Sequence, residues 1–235
     1  MTTESIYQSI KKWRVLIDAY KSGNDGSESE ILSYLNQGTH FSVSGKEINQ
    51  WKINLGTSDN KRIHAYLGID EDKLKFFLID SESDKKGDFN TIVVKEFTRD
   101  SPNVTVQNTT NLEVDPPITS ESAINRNFRW NMYGTTWLKA QKTEPFVQVI
   151  CIPFADYERL GLDDSQSCTS FFGLTDDSEN GASVFAYHIE IITVKDLTIN
   201  EMSKTAENYS TPRPPFTAAD PLENYQLLIK SGAFL

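Results

Sequence analysis

The chain has 235 residues, of which 38% are hydrophobic and 11% aromatic, and its formal net charge at pH 7 is −10. This composition excludes a disordered chain, because it supplies enough apolar side chains to bury the core of one large domain or two small ones. Nucleic acid and anionic membranes are also excluded as predicted partners, because the sequence has no local surplus of Lys and Arg to meet their phosphates.

The apolar runs of the sequence are short. The N-terminus lacks the apolar stretch of a secretory signal, and the longest apolar run, 147–154, is far below the ~18 residues of a membrane span. We therefore expect a cytoplasmic protein in which Cys151 and Cys168 stay reduced. Neither cysteine has a histidine at a ligand spacing, so the sequence predicts no metal site and no cofactor.

The first half of the chain contains both helical and strand-like patterns. Apolar residues recur every three or four positions over 5–21, which predicts a helix. The polar run 81–88 predicts a solvated loop. The other elements predicted here are helices over 30–36 and 45–55, and strands over 40–43, 63–69, 74–79 and 91–97.

The second half follows a polar, proline-containing stretch, 98–122, which predicts a linker. A helix is predicted over 123–141, with a break near Gly134. The proline-rich segment 210–222 either offers a polyproline ligand to a partner or wraps its own domain, with Phe216 and Leu222 as anchors. The remaining predicted elements are strands over 145–154, 168–174 and 183–194, and helices over 155–162 and 223–234.

Two stretches of the first half align with two of the second half. Residues 41–51 align with 150–160 without a gap, and 65–72 with 170–177, which places Gly68 on Gly173. The sequence thus predicts an α+β protein with two tandem copies of a helix–strand–helix–β-hairpin unit and a mainly antiparallel sheet. The predicted parts are a first unit over 1–100, a linker over 101–122, a second unit over 123–200, and a proline-rich tail with a C-terminal helix over 201–235.

Three further features stand out in the sequence: Ile10 and Trp13 in the first helix, the aromatic-Gly-Leu run 171–174, and the tail 212–222. In these features the unit resembles an uncharacterised family of small bacterial proteins. The resemblance implies a tryptophan-bearing helix, an aromatic-Gly hairpin and a proline-rich tail, and it implies no activity. Arg213 and Phe216 stand where that family's tail carries cysteines, so it implies no tail chemistry either.

The acidic turns of the two predicted hairpins are candidate cation sites. From Asp176 the second turn begins like an EF-hand loop, but its twelfth position is Tyr187 instead of the required Glu, and its flanks are strand-like. Asn180 and Gly181 instead favour a tight hairpin turn. The first turn, 70–73, has no glycine, and we expect its acidic side chains to be solvated.

Four residues are candidate ligand contacts: Gly68, Gly173, His188 and Glu190. A glycine within a strand marks a bulge or the close approach of another backbone or a ligand. His188 and Glu190, two apart on one strand, suit either acid–base chemistry or an exposed pair on a sheet face. Cys168 with His188 is a further candidate nucleophile pair, but the sequence offers no third group to orient it.

Two functions follow as hypotheses. The first is a non-enzymatic binding or assembly module that holds an unknown protein or small-molecule partner in a cleft or edge between the two units. The alternative is a hydrolase-like enzyme with its site between the units, around His188, Glu190 and Asp176. The first is favoured because the sequence contains no phosphate-binding loop, dinucleotide fingerprint, zinc-protease motif or nucleophile elbow, and we assign no catalytic residue.

Overall fold

The structure, a computed structural model, describes residues 1–99, 120–176, 187–195 and 210–234. The helices are α1 (Thr3–Lys21), α2 (Ser27–Leu35), α3 (Gly45–Leu55), α4 (Ser81–Lys86), α5 (Ser120–Ala140), α6 (Phe154–Glu158) and α7 (Gln226–Ser231), with 3-10 turns at Phe89–Thr91 and Leu222–Asn224. The strands are β1 (Phe41–Ser44), β2 (Arg62–Asp70), β3 (Lys73–Asp80), β4 (Val93–Glu96), β5 (Val149–Pro153), β6 (Ser167–Asp176), β7 (Tyr187–Val194) and β8 (Thr211–Arg213).

The strands form two antiparallel sheets. One sheet has three strands in the order β1-β6-β7, and the other has five in the order β4-β3-β2-β5-β8. The predicted α+β class with antiparallel strands is therefore confirmed. Each sheet combines strands from both halves of the chain, since β1 pairs with β6 and β5 pairs with β2.

The helices form where the sequence provides an apolar stripe and a cap. Thr2 caps α1, whose buried side chains include Ile10, Trp13 and Ile17. The side chains of Ser44 and Glu47 form a capping box at the start of α3. Helix α1 packs against β2, and helix α5 packs against β6. No helix in the described ranges is both long enough and apolar enough to cross a membrane.

The five-stranded sheet is buried on both faces. Along β2, Ile63, Ala65 and Leu67 belong to the main core, which also contains apolar side chains of the three-stranded sheet and of α3 and α5. The alternate residue Tyr66 faces a second apolar cluster beneath α1 and α7. Members of this second cluster are Ile6, Ile10, Phe77, Ile79, Val149, Cys151, Tyr225, Leu227, Leu228 and Ala233.

The hairpin β2–β3 turns without a glycine. Its two loop residues, Glu71 and Asp72, have φ values of 49° and 57°, which gives the left-handed conformation that matches the twist of a two-residue hairpin. Both side chains are exposed, as the sequence predicted for this acidic turn. The second acidic turn, including Asn180 and Gly181, lies outside the described residues.

Two predicted features are wrong. The run 81–88 is not a loop, because Asp80 caps α4 and the left-handed Gly87 ends it. Helix α5 continues through Gly134, where an added Cβ would lie 3.8 Å from the Trp130 ring, at ordinary contact distance. Helix α5 begins at Ser120, inside the predicted linker, and residues 101–119 of that linker lie outside the described part.

The proline-rich tail lies against its own protein. Strand β8 pairs with β5, and the Phe216 ring packs 5.0 Å from the Tyr225 ring. Leu222 also packs against the second apolar cluster. The wrapping interpretation therefore describes residues 210–234 better than a free docking ligand does.

Gly68 marks a close approach between β2 and α1. A Cβ at this position would lie 2.6 Å from Cε2 of the Phe77 ring, 2.9 Å from the carbonyl carbon of Ser9 and 3.0 Å from the backbone nitrogen of Ile10. At Gly173 the nearest atoms all belong to side chains, with Ile192 Cδ1 at 2.7 Å and Glu190 Oε1 at 2.9 Å. Both glycines thus lie against the protein's own atoms.

We expect Gly68→Ala to destabilise the fold by about 1–3 kcal/mol, because the new methyl group meets helix backbone that cannot move aside. Gly173→Ala should cost less, since side-chain ends can shift. Gly134→Ala should instead stabilise α5 by up to about 1 kcal/mol. Urea unfolding measures the free energy of unfolding of the three variants. A loss of stability in Gly68→Ala that is no larger than the loss in Gly173→Ala would contradict the expected order.

Candidate functional site

A cavity of about 300 Å³ lies where the two halves of the chain meet, and we call it the aromatic cavity. One side of the cavity is formed by residues 36–40, which precede β1, and by Phe97, which follows β4, and the other side is formed by α5 and β6. Its aromatic lining is Phe97, Trp130, Phe171 and Phe172, and its polar lining includes Asn36, Thr39, His40, Asn127 and Asn131.

Phe172 organises the aromatic wall. Its ring centroid lies 5.0 Å from that of Phe97 and 5.0 Å from that of Trp130, in the inclined and edge-on arrangements that aromatic pairs prefer. The Asn127 side chain donates a hydrogen bond of 2.9 Å to the Phe172 carbonyl, which holds α5 on β6. The cavity is therefore a mostly apolar space with carboxamide groups at its edge, a combination typical of small-molecule sites.

Glu190 is buried, so the exposed sheet-face interpretation of the His188–Glu190 pair is wrong. Helix α5 covers this face, and Arg126 Nη1 lies 3.3 Å from Glu190 Oε2. The Thr175 hydroxyl also donates to this carboxylate. Glu190 thus forms a buried structural ion pair with Arg126. Neither Glu190 nor His188 lines the aromatic cavity. The side chain of Asp176 lies outside the described residues.

The candidate Cys168–His188 pair, which the sequence already disfavoured, is not formed. Cys168 lies beside Val43 at one end of β6, whereas His188 lies opposite Thr175 near the other end. Positions 168 and 175 are seven residues apart along β6, which corresponds to a distance of roughly 23 Å at 3.3 Å per residue. Burial also raises the pKa of the Cys168 thiol to about 12, so that it stays protonated at neutral pH.

A second group of polar side chains is buried on the outer face of the five-stranded sheet. Asp84 of α4 is fully buried and accepts three hydrogen bonds. The donors are Nδ1 of His64 at 2.7 Å, the hydroxyl of Tyr66, and the backbone nitrogen of Leu227 at 2.9 Å. Asp84 therefore ties α4 to both β2 and α7.

Asp220 forms the neighbouring part of this group. Its Oδ2 accepts from the Tyr225 hydroxyl at 2.6 Å and from Arg213 Nη2 at 2.8 Å, and Arg62 Nη1 lies 3.7 Å away. The Tyr225 ring stacks on the His64 ring, with centroids 4.4 Å apart. The two carboxylates are thus linked through stacked rings, and we call the whole group the buried polar cluster.

Burial controls the ionisation of this cluster. It raises the pKa of Cys151, whose Sγ lies 3.0 Å from the Tyr225 hydroxyl oxygen, to about 12, and it also raises the pKa of Tyr225. Burial opposes ionisation of Asp220 as well, but the hydrogen bonds from Tyr225 and Arg213 outweigh it and lower the pKa of that carboxyl. Cys151 is therefore a neutral thiol at pH 7.

The sequence pattern does not predict the buried polar cluster, because the polar run 81–88 is typical of a solvated loop. The signal was present: Asp80 is an N-cap residue, acidic residues fill the first turn, Lys85 and Lys86 occupy the last, and Gly87 follows. The signal for a short helix does not, however, say which of its side chains is buried. Within the described ranges, no group of three or more His, Cys, Asp or Glu residues is arranged to hold a metal ion.

No protein-family model, curated protein or solved structure matches the chain. The resemblance to the bacterial family with the tryptophan helix therefore stays a prediction. Any function must be inferred from the geometry of the aromatic cavity and the buried polar cluster.

Acid should destabilise the fold through Asp220, whose pKa is lower in the folded chain than in the unfolded one. Ionised Asp220 stabilises the fold above about pH 3.9, the ordinary pKa of an aspartate, and this contribution is lost as the pH falls through the lower folded pKa. We expect Asp220→Asn to lower the urea midpoint at neutral pH, with the difference from wild type narrowing in acid. A difference that stays constant down to about pH 3 would contradict this role.

Proposed function

We propose that the aromatic cavity is a binding site, without a catalytic role of its own, for a small, flat, mostly apolar molecule. The observation that carries the proposal is the cavity itself, with aromatic walls from both halves of the chain and carboxamides at its edge. Its volume of about 300 Å³ lies at the lower end of the range for small-molecule sites. Aromatic faces favour a stacked ring, and the asparagines supply donors and acceptors for its polar edge.

We also propose that the two halves arose by internal duplication, and the strand registers support this. Phe41 lies opposite Ser170 in the β1–β6 pair. The predicted equivalents of these two residues, Ile150 and Ala65, lie opposite each other in the β5–β2 pair.

Backbone hydrogen bonds outside the strands follow the same alignment. The nitrogen of Gly45 donates to the Gln166 carbonyl at 2.8 Å, and the nitrogen of Phe154 donates to the Lys61 carbonyl at 3.0 Å. Gly45 aligns with Phe154, and Lys61 falls on Gln166 when the offset of the block 65–72 is continued upstream, so each bond is the counterpart of the other. Two further bonds join Thr39 N to the Thr98 carbonyl and Gln148 N to the Arg213 carbonyl, each at 2.9 Å. Thr39 falls on Gln148 when the offset of the block 41–51 is continued upstream, and the two bonds then predict Arg213 as the counterpart of Thr98.

Duplication explains where the aromatic cavity lies. In this proposal each unit lends its first strand to the hairpin of the other. Backbone hydrogen bonds join the cavity walls, because His40 bridges Thr98 and β1, which follows His40, pairs with β6. The wall that lies in β6 and α5 is built on regular elements, which hold a site more rigidly than loops do. The hydrolase-like alternative around His188, Glu190 and Asp176 has less support, because Arg126 and Thr175 occupy the Glu190 carboxylate.

Binding can be tested with the neutral fluorescent probe 1-anilinonaphthalene. Ile124 lies at the partly exposed mouth of the cavity, so Ile124→Trp should obstruct it and weaken probe binding at least about tenfold. Phe128→Trp is the matched control, because Phe128 lies on the same helix, is exposed, and does not line the cavity. We expect saturable binding of the probe to the wild-type protein. Ile124→Trp should weaken this binding, and Phe128→Trp should not. Equal binding to all three proteins would contradict the site.

The duplication has a separate test in an experimental structure of the protein. When the halves are superposed, we expect the Cα atoms of Phe41, Gly68 and Thr98 to fall on those of Ile150, Gly173 and Arg213. Strand pairs that differ in register between the two halves would contradict a common origin.

A further inference from the structure

A second, polar pocket of about 210 Å³ lies beside the start of β2 and α4. Its lining includes the cationic side chains of Arg62 and Lys85, the carboxamides of Asn60 and Asn224, and His64. This pocket lies next to the buried polar cluster and does not share a lining residue with the aromatic cavity. Any chemistry here is therefore separate from the proposed binding function.

The His64 ring is fixed in one orientation. Its Nδ1 is bonded to Asp84 at 2.7 Å, and one ring face stacks on Tyr225 with an interplanar angle of 19°. Only 1% of the residue is exposed, yet it forms part of the pocket lining. Within the described part of the chain, the opposite nitrogen, Nε2, has no hydrogen-bond partner. It is the ring nitrogen left to act on a molecule in the pocket.

We propose that His64 and Asp84 form a general-base dyad that hydrolyses a small, polar carboxylic ester bound in this pocket. A carboxylate that accepts from Nδ1 selects the tautomer in which Nε2 accepts a proton, and it stabilises the imidazolium that then forms. Asp84 does not touch the substrate and is a positioning residue, whereas His64 is the catalytic residue.

The charged lining of the pocket combines two cations, Arg62 and Lys85, with three carboxylates, Asp59, Glu82 and Asp220, and it is the cations that suit an ester carbonyl. Attack by water places negative charge on the carbonyl oxygen, and Arg62 and Lys85 are the cations that line the pocket to stabilise it. Asp220 also lines the pocket, but its Oδ2 is held by Tyr225 and Arg213. The volume of about 210 Å³ restricts the substrate to a small molecule.

The reaction balances with water as the only co-reactant. His64 Nε2 takes a proton from water as the water oxygen bonds to the carbonyl carbon. The bond from that carbon to the alkoxy oxygen then breaks, and the proton on Nε2 passes to the leaving alcohol. One ester and one water give one carboxylic acid and one alcohol, and His64 returns to its neutral form.

Cys151 is not the nucleophile, although it lies directly opposite His64 in the β2–β5 pair. It is fully buried, is not part of the pocket lining, and its thiol pKa is raised to about 12 by burial. Attack by water without a thiol predicts that no covalent intermediate accumulates.

Hydrolysis of p-nitrophenyl acetate by the full-length protein tests the proposal. We expect catalysis above the buffer rate, with His64→Gln reducing kcat/KM at least about 100-fold, the range of general-base catalysis. Asp84→Asn should lower kcat at least about tenfold with KM unchanged, because it disturbs the orientation of the base and not substrate contact. The assignment would be overturned if the wild-type protein hydrolysed the ester no faster than buffer does. It would also be overturned if kcat/KM fell in His188→Gln and not in His64→Gln.

A pair of adjacent lysines keeps the test decisive if His64 or Asp84 variants fail to fold. Lys85 and Lys86 are both exposed on α4, but only Lys85 lines the pocket. We expect Lys85→Ala to lower kcat/KM about tenfold and Lys86→Ala to leave it unchanged, with both variants as stable as wild type. Equal values of kcat/KM for the two variants would contradict catalysis in this pocket. A burst of p-nitrophenol equal to the protein concentration would contradict direct attack by water.

Discussion

The pairing of β5 with β2 is the interaction on which the rest of the structure depends. It places a strand from the second half of the chain inside the sheet of the first half, and β1 joins β6 in the reciprocal manner. Neither sheet is complete without strands from both halves. A two-stranded hairpin is marginal in water, so the exchange gives each hairpin the further strand and the covered faces that it needs. The cavities and clusters described above are arranged around these two pairs.

The same exchange creates the two proposed sites on different surfaces. At the boundary between the halves, α5, β6 and the segments next to β1 and β4 enclose the aromatic cavity, and Phe172 organises its aromatic wall. On the outer face of the five-stranded sheet, β2 and β5 place His64 and Cys151 side by side, and the C-terminal segment covers them with Tyr225. Burial beneath this segment keeps Cys151 neutral, while hydrogen bonds keep Asp220 ionised.

Much of the fold could be predicted from local patterns. The amphipathic helix α1, the strands of both hairpins and the exposed acidic turn at Glu71 follow from periodicity and turn chemistry. The candidate sites could not be predicted in the same way. Glu190 pairs with Arg126, which is 64 positions away in sequence, and Asp84 binds the backbone of Leu227, 143 positions away. Periodicity carries no information about such distant partners.

The sequence by itself determined the α+β class, the positions of most elements and an alignment of its two halves, because each depends on neighbouring residues. The tertiary structure decided that β1, from the first half of the chain, pairs with β6, and that β5, from the second half, pairs with β2. It also decided that Glu190 is part of a structural ion pair, and that His64 is bonded to Asp84 and lines a pocket. The physical reason is that burial and hydrogen bonding depend on which strands and helices meet, and strand pairing across the chain settles that.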